Sequence, residues 1–198
     1  MHIYTAQKFE LPALQGLSEK QIAVHIGLYE GYVKHINILR EQIADLSATD
    51  PEKFSYAITE TRRRLGFEFN GMRMHEYYFQ QFEGGSQAGD QDSALGKALT
   101  EKYGSYADFI SHFTKVGMSR GIGWSVLYAD PTHNTVHTAW VGDHELGQLG
   151  GLPVILAMDM WEHAFMVDYV PAEKKAYIDA FLQNTNWKVA EARFAALT

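Results

Sequence analysis

An aspartate and a histidine four residues apart, Asp159 and His163, directly follow a short apolar run late in the chain. The run, residues 153–158 (PVILAM), is continuous and partly β-branched, which predicts a strand buried on both faces. A carboxylate at the end of such a strand stays ionised only when a cation, a metal ion or several hydrogen bonds compensate its charge. Aspartate and neutral histidine together suit iron, manganese or zinc, provided that other segments supply further ligands.

The same two residues also fit a purely structural role. Asp159 could instead cap a helix that begins at Met160, and His163 could be an ordinary half-buried histidine. This segment alone does not separate the two interpretations, so the choice depends on the elements that would bring further histidines to it.

The first of these elements is a long amphipathic segment, residues 17–47. Apolar residues recur in it every three or four positions, which predicts a helix, and His25 lies on the apolar stripe. Ser18 and Gln21 have the spacing of a capping box at its start.

A second helical segment, residues 51–82, is opened by Pro51 and carries His75 among large apolar residues. Together the two segments predict an antiparallel helical hairpin in which His25 and His75 face each other.

The remainder of the chain mixes helical and strand patterns. A glycine-rich, weakly hydrophobic stretch at 83–93 predicts a boundary between two domains, residues 1–85 and 92–198. Two shorter helical patterns follow, then two strands joined as a hairpin (123–129 and 135–141), the buried strand and a helical C-terminus. The sequence therefore predicts an α+β fold, in which an N-terminal antiparallel helical hairpin precedes a C-terminal α/β domain with a three-stranded antiparallel sheet.

Composition limits the classes of function. The chain has 198 residues, a formal net charge of −7 and no cysteine. The acidic balance argues against a nucleic-acid partner, and without cysteine only His, Asp or Glu can hold a metal ion. No apolar stretch is long enough to span a bilayer, and the N-terminus lacks the pattern of a signal peptide, which predicts a cytoplasmic protein without a membrane partner.

Residues 159–164, DMWEHA, form the most specific motif of the chain. With His25, His75 and the stretches LSEKQIAVH, NGMRMHEYYF and SRGIGWSVL in the same order, the sequence resembles the iron/manganese superoxide dismutases over nearly its whole length. The resemblance implies that the metal ion lies between the helical hairpin and the α/β domain. It also implies the ligands, which are His25, His75, Asp159 and His163.

The same resemblance implies roles around the metal ion. His144 is similar to the histidine with which one branch of the family hydrogen-bonds the metal-bound solvent, and Gly71 leaves space where other branches place a glutamine. The alternative for His144 is an exposed loop histidine. Tyr32 resembles the gateway tyrosine above the substrate funnel, and Trp124 and Trp161 would pack beside the metal ion.

Three features depart from the family pattern. His25 and Tyr32 are seven positions apart rather than the usual eight. Because seven residues at 100° each return to within about 20° of the start, an ordinary helix aligns the two side chains without local widening. Tyr29 and Met166 replace a histidine and a tyrosine that usually form a hydrogen-bonded pair, and Lys174 replaces a funnel arginine, which keeps the charge but loses the planar fork.

The resemblance implies the activity of a superoxide dismutase, which converts superoxide and protons to dioxygen and hydrogen peroxide. It implies one iron or manganese ion per subunit, cycling between +3 and +2, with iron favoured and activity with both left open. It also implies a homodimer in which Glu162 reaches His163 of a second subunit. A basic rim of Lys34 and Lys174 would focus the anionic substrate. Two alternatives are a non-catalytic metal-binding protein and a non-haem iron oxygen enzyme on the same fold.

Overall fold

Two long antiparallel helices form the N-terminal part of the molecule. In the computed structural model, which describes residues 2–197, α1 spans Glu19–Thr49 and α2 spans Ser55–Gln80. The predicted helical hairpin is therefore confirmed, and α1 is a regular α-helix from His25 to Tyr32, as its spacing predicts. None of the helices within the described residues is both long and apolar enough to cross a membrane.

The predicted start of α1 is confirmed, whereas the predicted start of α2 is not. Ser18 caps α1 as predicted, because its side-chain oxygen accepts a hydrogen bond of 3.0 Å from the backbone N–H of Gln21. Pro51 does not open α2. It lies in a turn, and the helix begins only at Ser55, so the predicted start at 51 was wrong.

A three-stranded antiparallel sheet flanked by helices forms the rest of the molecule. Its strand order is β2-β1-β3, so the first strand is central and pairs with both others. The predicted hairpin and buried strand are confirmed, whereas the helical C-terminus consists of two helices. The elements in chain order are α3 (Ala94–Tyr103), α4 (Tyr106–Gly117), β1 (Gly123–Asp130), β2 (Thr135–Gly142), β3 (Val154–Asp159), α5 (Lys174–Asn184) and α6 (Trp187–Ala195).

Side chains, rather than another strand, cover the outer edge of β3. The side-chain amide of Gln81, just past the end of α2, donates to the backbone oxygen of Ala157 at 2.6 Å and accepts from its N–H at 3.3 Å. Arg193 of α6 donates to the backbone oxygen of Ile155 at 3.0 Å. These bonds satisfy backbone groups of an edge strand and fix β3 against the helical hairpin.

The end of β3 decides between the two interpretations of Asp159. No helix begins at Met160, so the helix-cap interpretation is wrong. Asp159 is the last residue of the strand and is fully buried, and the chain then makes one short 3-10 turn, Glu162–Ala164.

Candidate metal centre

Four side chains from the hairpin and the sheet converge where these two parts meet. Their ligand atoms all lie within 4.8 Å of one another, and the residues are His25, His75, Asp159 and His163. The Oδ2 atom of the carboxylate lies 3.0 Å from Nε2 of His25, 3.4 Å from Nε2 of His75 and 3.1 Å from Nε2 of His163. Ligands held about 2.0–2.2 Å from one ion are separated by about 3.0–3.5 Å. The carboxylate oxygen therefore lies at coordination-shell distances from all three imidazole nitrogens.

The hydrogen bond of the His75 imidazole leaves its second ring nitrogen free to coordinate an ion. Nδ1 of His75 donates to the backbone oxygen of Gly71 at 2.6 Å, so its Nε2 carries a lone pair. This buried Nε2 has no hydrogen-bond partner among the residues that the structure describes. Because a buried acceptor without a partner is costly, a coordinated metal ion at Nε2 of His75 fits the site.

Burial and proximity set the charges in the cluster. Burial lowers the pKa of His25 and holds the pKa of His75 well below its usual range, which favours the neutral form that binds metal ions. Burial alone would raise the pKa of Asp159. The charge of His163 and hydrogen bonds from His163 and His25 outweigh it, so the pKa of this carboxyl is lowered. Three imidazoles around one carboxylate suit iron, manganese or zinc.

Two hydrogen bonds that sequence reasoning missed position Asp159. Its Oδ1 accepts from the backbone N–H of Trp161 at 2.9 Å, which leaves Oδ2 for the centre. Its backbone oxygen accepts from the hydroxyl of Tyr177 at 2.6 Å. Tyr177 lies on the buried face of α5, so an amphipathic pattern could place it inside but could not identify its partner.

Gln21 holds the turn that carries His163. Its side-chain nitrogen donates to the backbone oxygen of His163 at 2.7 Å, and its side-chain oxygen accepts from the N–H of Val167 at 2.9 Å. The capping-box interpretation of Gln21 is therefore wrong for its side chain. The backbone N–H of Ser18, which a capping box would satisfy, donates instead to Asp168.

His144 lies in the interior beside the cluster, so the exposed-loop alternative is wrong. The indole N–H of Trp124 donates to Nδ1 of His144 at 3.0 Å. An indole nitrogen is only a donor, so Nδ1 must be the acceptor, and the proton of the neutral ring resides on Nε2. Burial lowers the pKa of His144 to about 4, which favours this neutral form. Nε2–H then donates to the hydroxyl of Tyr32 at 2.8 Å.

The ring of Tyr32 lies against Gly71 on the facing helix. A Cβ atom added at Gly71 would approach Cδ1 of Tyr32 to 2.6 Å, which is closer than two carbon atoms can pack. The space that Gly71 leaves is thus occupied by Tyr32. The regular helix between His25 and Tyr32 turns both side chains toward α2, where they meet His75.

Aromatic rings enclose the remaining sides of the centre. Trp124 packs edge-on against His75 with ring centroids 5.1 Å apart, and Trp161 stacks on His163 at 5.5 Å. Phe67, which sequence reasoning did not single out, packs edge-on against His144 at 4.7 Å. Phe67 lies one turn before Gly71 in α2, and that periodicity is the only sequence signal that could have found it.

Tyr29 and Met166 lie in different surroundings. The hydroxyl of Tyr29 accepts from the N–H of Gln7 at 2.8 Å and donates to Glu76 at 3.2 Å, in the interior. Burial raises the pKa of Tyr29 to about 12. Met166 is half-exposed, at 50%. Tyr29 thus ties α1 to the N-terminal segment, and it does not face the surface where Met166 and Glu162 lie.

The two lysines predicted to form a basic rim are placed differently. Nζ of Lys174 donates to the backbone oxygen of Ser119 at 2.9 Å, and burial lowers the pKa of this ammonium. Lys34 is exposed. Arg64 instead lies against the aromatic enclosure: its guanidinium is 3.9 Å above the ring of Phe67 and pairs with Glu68 at 2.7 Å.

A helical hairpin on an α/β domain, with a buried three-histidine, one-aspartate site between them, defines a protein with a single metal site for iron, manganese or zinc. Residues 91–193 match the family described as iron/manganese superoxide dismutases, C-terminal domain. The chain belongs to the iron/manganese superoxide dismutase family. It is a superoxide dismutase with iron or manganese at the three-histidine, one-aspartate site, so superoxide is its substrate.

Named relatives cover nearly the whole chain. An iron superoxide dismutase of Cupriavidus metallidurans is 37% identical over 187 residues, covering 92% of this chain and 91% of the relative. One of Saccharolobus solfataricus is 31% identical over 199 residues, covering 94% and 93%. A manganese superoxide dismutase of Halobacterium salinarum is 28% identical over 197 residues, covering 94% and 95%.

Proposed function

We propose that His25, His75 and His163 bind the metal ion through Nε2 and that Asp159 binds it through Oδ2. The observation that carries this proposal is the convergence of these four atoms, together with the lone pair of His75, which has no hydrogen-bond partner within residues 2–197. When bound, the ion supplies one-electron chemistry by cycling between +3 and +2. Superoxide is oxidised to dioxygen in one half-reaction and reduced, with two protons, to hydrogen peroxide in the other.

The pair of His144 and Tyr32 manages protons in this scheme. Trp124 fixes the imidazole with its proton on Nε2, and this N–H donates a hydrogen bond to the hydroxyl oxygen of Tyr32. The Tyr32 hydroxyl proton is therefore free to be donated toward the centre, and its ring lies 5.1 Å from that of His75. Burial raises the pKa of Tyr32, so the phenol keeps its proton until an acceptor of higher basicity arrives.

Trp161 and Trp124 exclude water from the ligands. Each indole packs flat or edge-on against a ligand imidazole, so these ligands cannot easily rotate away or be hydrated. The indole N–H of Trp161 donates to the backbone oxygen of Asp143 at 3.3 Å. This bond also anchors the loop that carries His144.

The test is superoxide dismutation per bound ion in two preparations, one loaded with iron and one with manganese. We expect iron to be the native cofactor, because the iron enzymes named above are more similar to this chain than the manganese enzyme. Activity with both ions would mean that the His144 environment tolerates either metal. A filled site without activity in either preparation would overturn the proposed residue roles.

We also propose a two-fold homodimer, in which Glu162 accepts a hydrogen bond from Nδ1 of His163 in the second copy. Exposed apolar residues lie on both segments that meet here: Val24 and Leu28 are one turn apart on α1, and Met166 and Val167 follow the turn of His163. Gln21 joins these two segments. A self-complementary apolar patch of this kind favours a two-fold contact.

Solution mass separates the dimer from its alternative, a monomer in which Glu162 stays solvated. We expect the wild type to be a dimer, and Val24→Glu with Leu28→Glu to be a monomer that keeps its metal ion. A monomeric wild type at micromolar concentration would refute the dimer.

The division into residues 1–85 and 92–198 and the cytoplasmic location remain predictions. Limited proteolysis within 83–93 tests the division.

A further inference from the structure

An aspartate and two histidines come together at the tip of the β1–β2 hairpin, in a segment that contains none of the four ligand residues. Oδ2 of Asp130 lies 2.9 Å from Nδ1 of His133 and 3.6 Å from Nε2 of His137. The strand register explains the convergence. Asp130 pairs with Thr135, so His137 is two positions further along the partner strand and projects from the same face of the sheet. His133 is in the connecting turn.

The carboxylate at the tip is held in one orientation. Oδ1 of Asp130 accepts from the backbone N–H of Thr132 at 3.0 Å and from that of His133 at 3.2 Å. This turn fixes the carboxylate and leaves Oδ2 for the two imidazoles. The side chain of Asp130 is only 14% exposed, against 74% for His133 and 36% for His137.

We propose that Asp130, His133 and His137 form a second site, for a divalent transition-metal ion of the Zn²⁺ type. In a tetrahedral zinc site, ligand atoms lie about 3.3–3.5 Å apart, and the two observed separations lie just outside this range on either side. The His133 side chain is 74% exposed and can change rotamer, so it can move toward an ion that is bound by Asp130 and His137. Two imidazoles and one carboxylate favour Zn²⁺ over Mg²⁺ and Ca²⁺, which prefer oxygen ligands.

The ion would link β2 to the turn and close the end of the hairpin. Water would fill the remaining coordination position, because His133 and His137 face solvent. The site is independent of dismutation, and metal content per subunit would exceed the number of ions in the buried centre.

Equilibrium dialysis of the iron-loaded protein against ZnCl₂ tests this site. Iron retention is measured in the same samples, so displacement from the buried centre is detected. We expect the wild type to take up one further equivalent of Zn²⁺ with iron unchanged, and to melt at a higher temperature with Zn²⁺ than without. His133→Gln and His137→Gln should each lose both effects.

His112→Gln is the matched control, because His112 is an exposed histidine that packs on Tyr103 rather than on Asp130. It should bind Zn²⁺ as the wild type does. The proposal is overturned if the wild type takes up no further Zn²⁺, if either hairpin variant keeps the uptake, or if His112→Gln abolishes it. Dismutation per bound iron should be equal in all four proteins.

Discussion

Aspartate and histidine side chains meet at two places in the molecule, the buried centre and the hairpin tip. The same donor types converge in both, at separations of 3.0–3.4 Å in the first and 2.9–3.6 Å in the second. In the buried centre, hydrogen bonds to the backbone orient the donors, as the backbone oxygen of Gly71 does for His75. At the hairpin, only Asp130 is oriented in this way, and His133 is largely exposed. Donor type selects the ions that can bind, whereas burial and orientation decide whether the surroundings of an ion stay fixed while its charge changes.

The two settings also differ in what replaces a lost donor. Water can occupy the place of a missing side chain at the hairpin, so the loss of one donor there removes an ion and little else. In the buried centre a missing donor leaves partners that water does not reach, so the consequences extend to charge and hydrogen bonding.

The largest difference should come from the two aspartates. Asp159→Ala should empty the buried centre and reduce dismutation to background, because it removes the one carboxylate that all three imidazoles share. Asp130→Ala should keep the metal ion and the activity of the buried centre. Metal analysis with a dismutation assay measures both, and circular dichroism, with Asp159→Asn as a milder variant, checks that the protein folds. A filled centre in Asp159→Ala would contradict the proposed ligand role.

Replacing histidines should give the next largest contrast. His144→Ala should keep the bound ion, shift its reduction potential and lower dismutation by about 10- to 100-fold, the usual effect of removing a partner behind the ligands. His133→Ala should change none of these quantities. Potentiometry and activity per bound ion are the measurements. Equal activity in His144→Ala and the wild type would exclude the proposed proton-handling role.

A smaller effect is expected for the tryptophan that fixes the His144 tautomer. Trp124→Phe removes the N–H that Nδ1 accepts, so the imidazole proton is no longer confined to Nε2. Loss of one hydrogen bond of about 1 kcal/mol corresponds to about a fivefold decrease in activity. Trp140→Phe, on the neighbouring strand, is the control and should be unaffected. The hypothesis fails if Trp124→Phe keeps both full activity and an unchanged reduction potential.

The smallest effect should come from charge outside the enclosure. Arg64 lies over Phe67, whereas Arg63 on the same helix pairs with Glu60. Arg64→Gln should lower kcat/KM for superoxide by about twofold at low ionic strength, because a nearby positive charge raises the local concentration of an anion. The difference should vanish at high salt. An equal decrease in Arg63→Gln would show that the effect comes from net charge rather than from position.

Local patterns predicted the elements, and the resemblance to a known family implied the four converging residues. Ser18, the apolar stripe around His25 and the β-branched run before Asp159 each carry a signal within a few residues. The predictions failed where contacts between residues distant in sequence determine the structure. The start of α2 depends on the turn that contains Pro51, and the side chain of Gln21 binds a turn more than 140 residues away.

The contacts of Tyr29, Phe67 and Tyr177 around the centre also could not be predicted from the sequence. Tyr29 occupies the interior because Gln7 and Glu76 offer it partners there, and no spacing rule reports that preference. Phe67 and Tyr177 look like ordinary core residues in the sequence. Their importance follows only from what they contact, which is His144 in one case and the backbone of Asp159 in the other.

The contact between Gly71 and Tyr32 constrains how this lineage can change. A glutamine at 71 would place its Cβ within 2.6 Å of the tyrosine ring, so Gly71→Gln cannot be accepted while α1 keeps its present register. Conversely, a helix that moved Tyr32 aside would leave His144 without its acceptor. The two positions are therefore coupled: exchanging the loop histidine for a helix-borne glutamine requires Tyr32 to move as well.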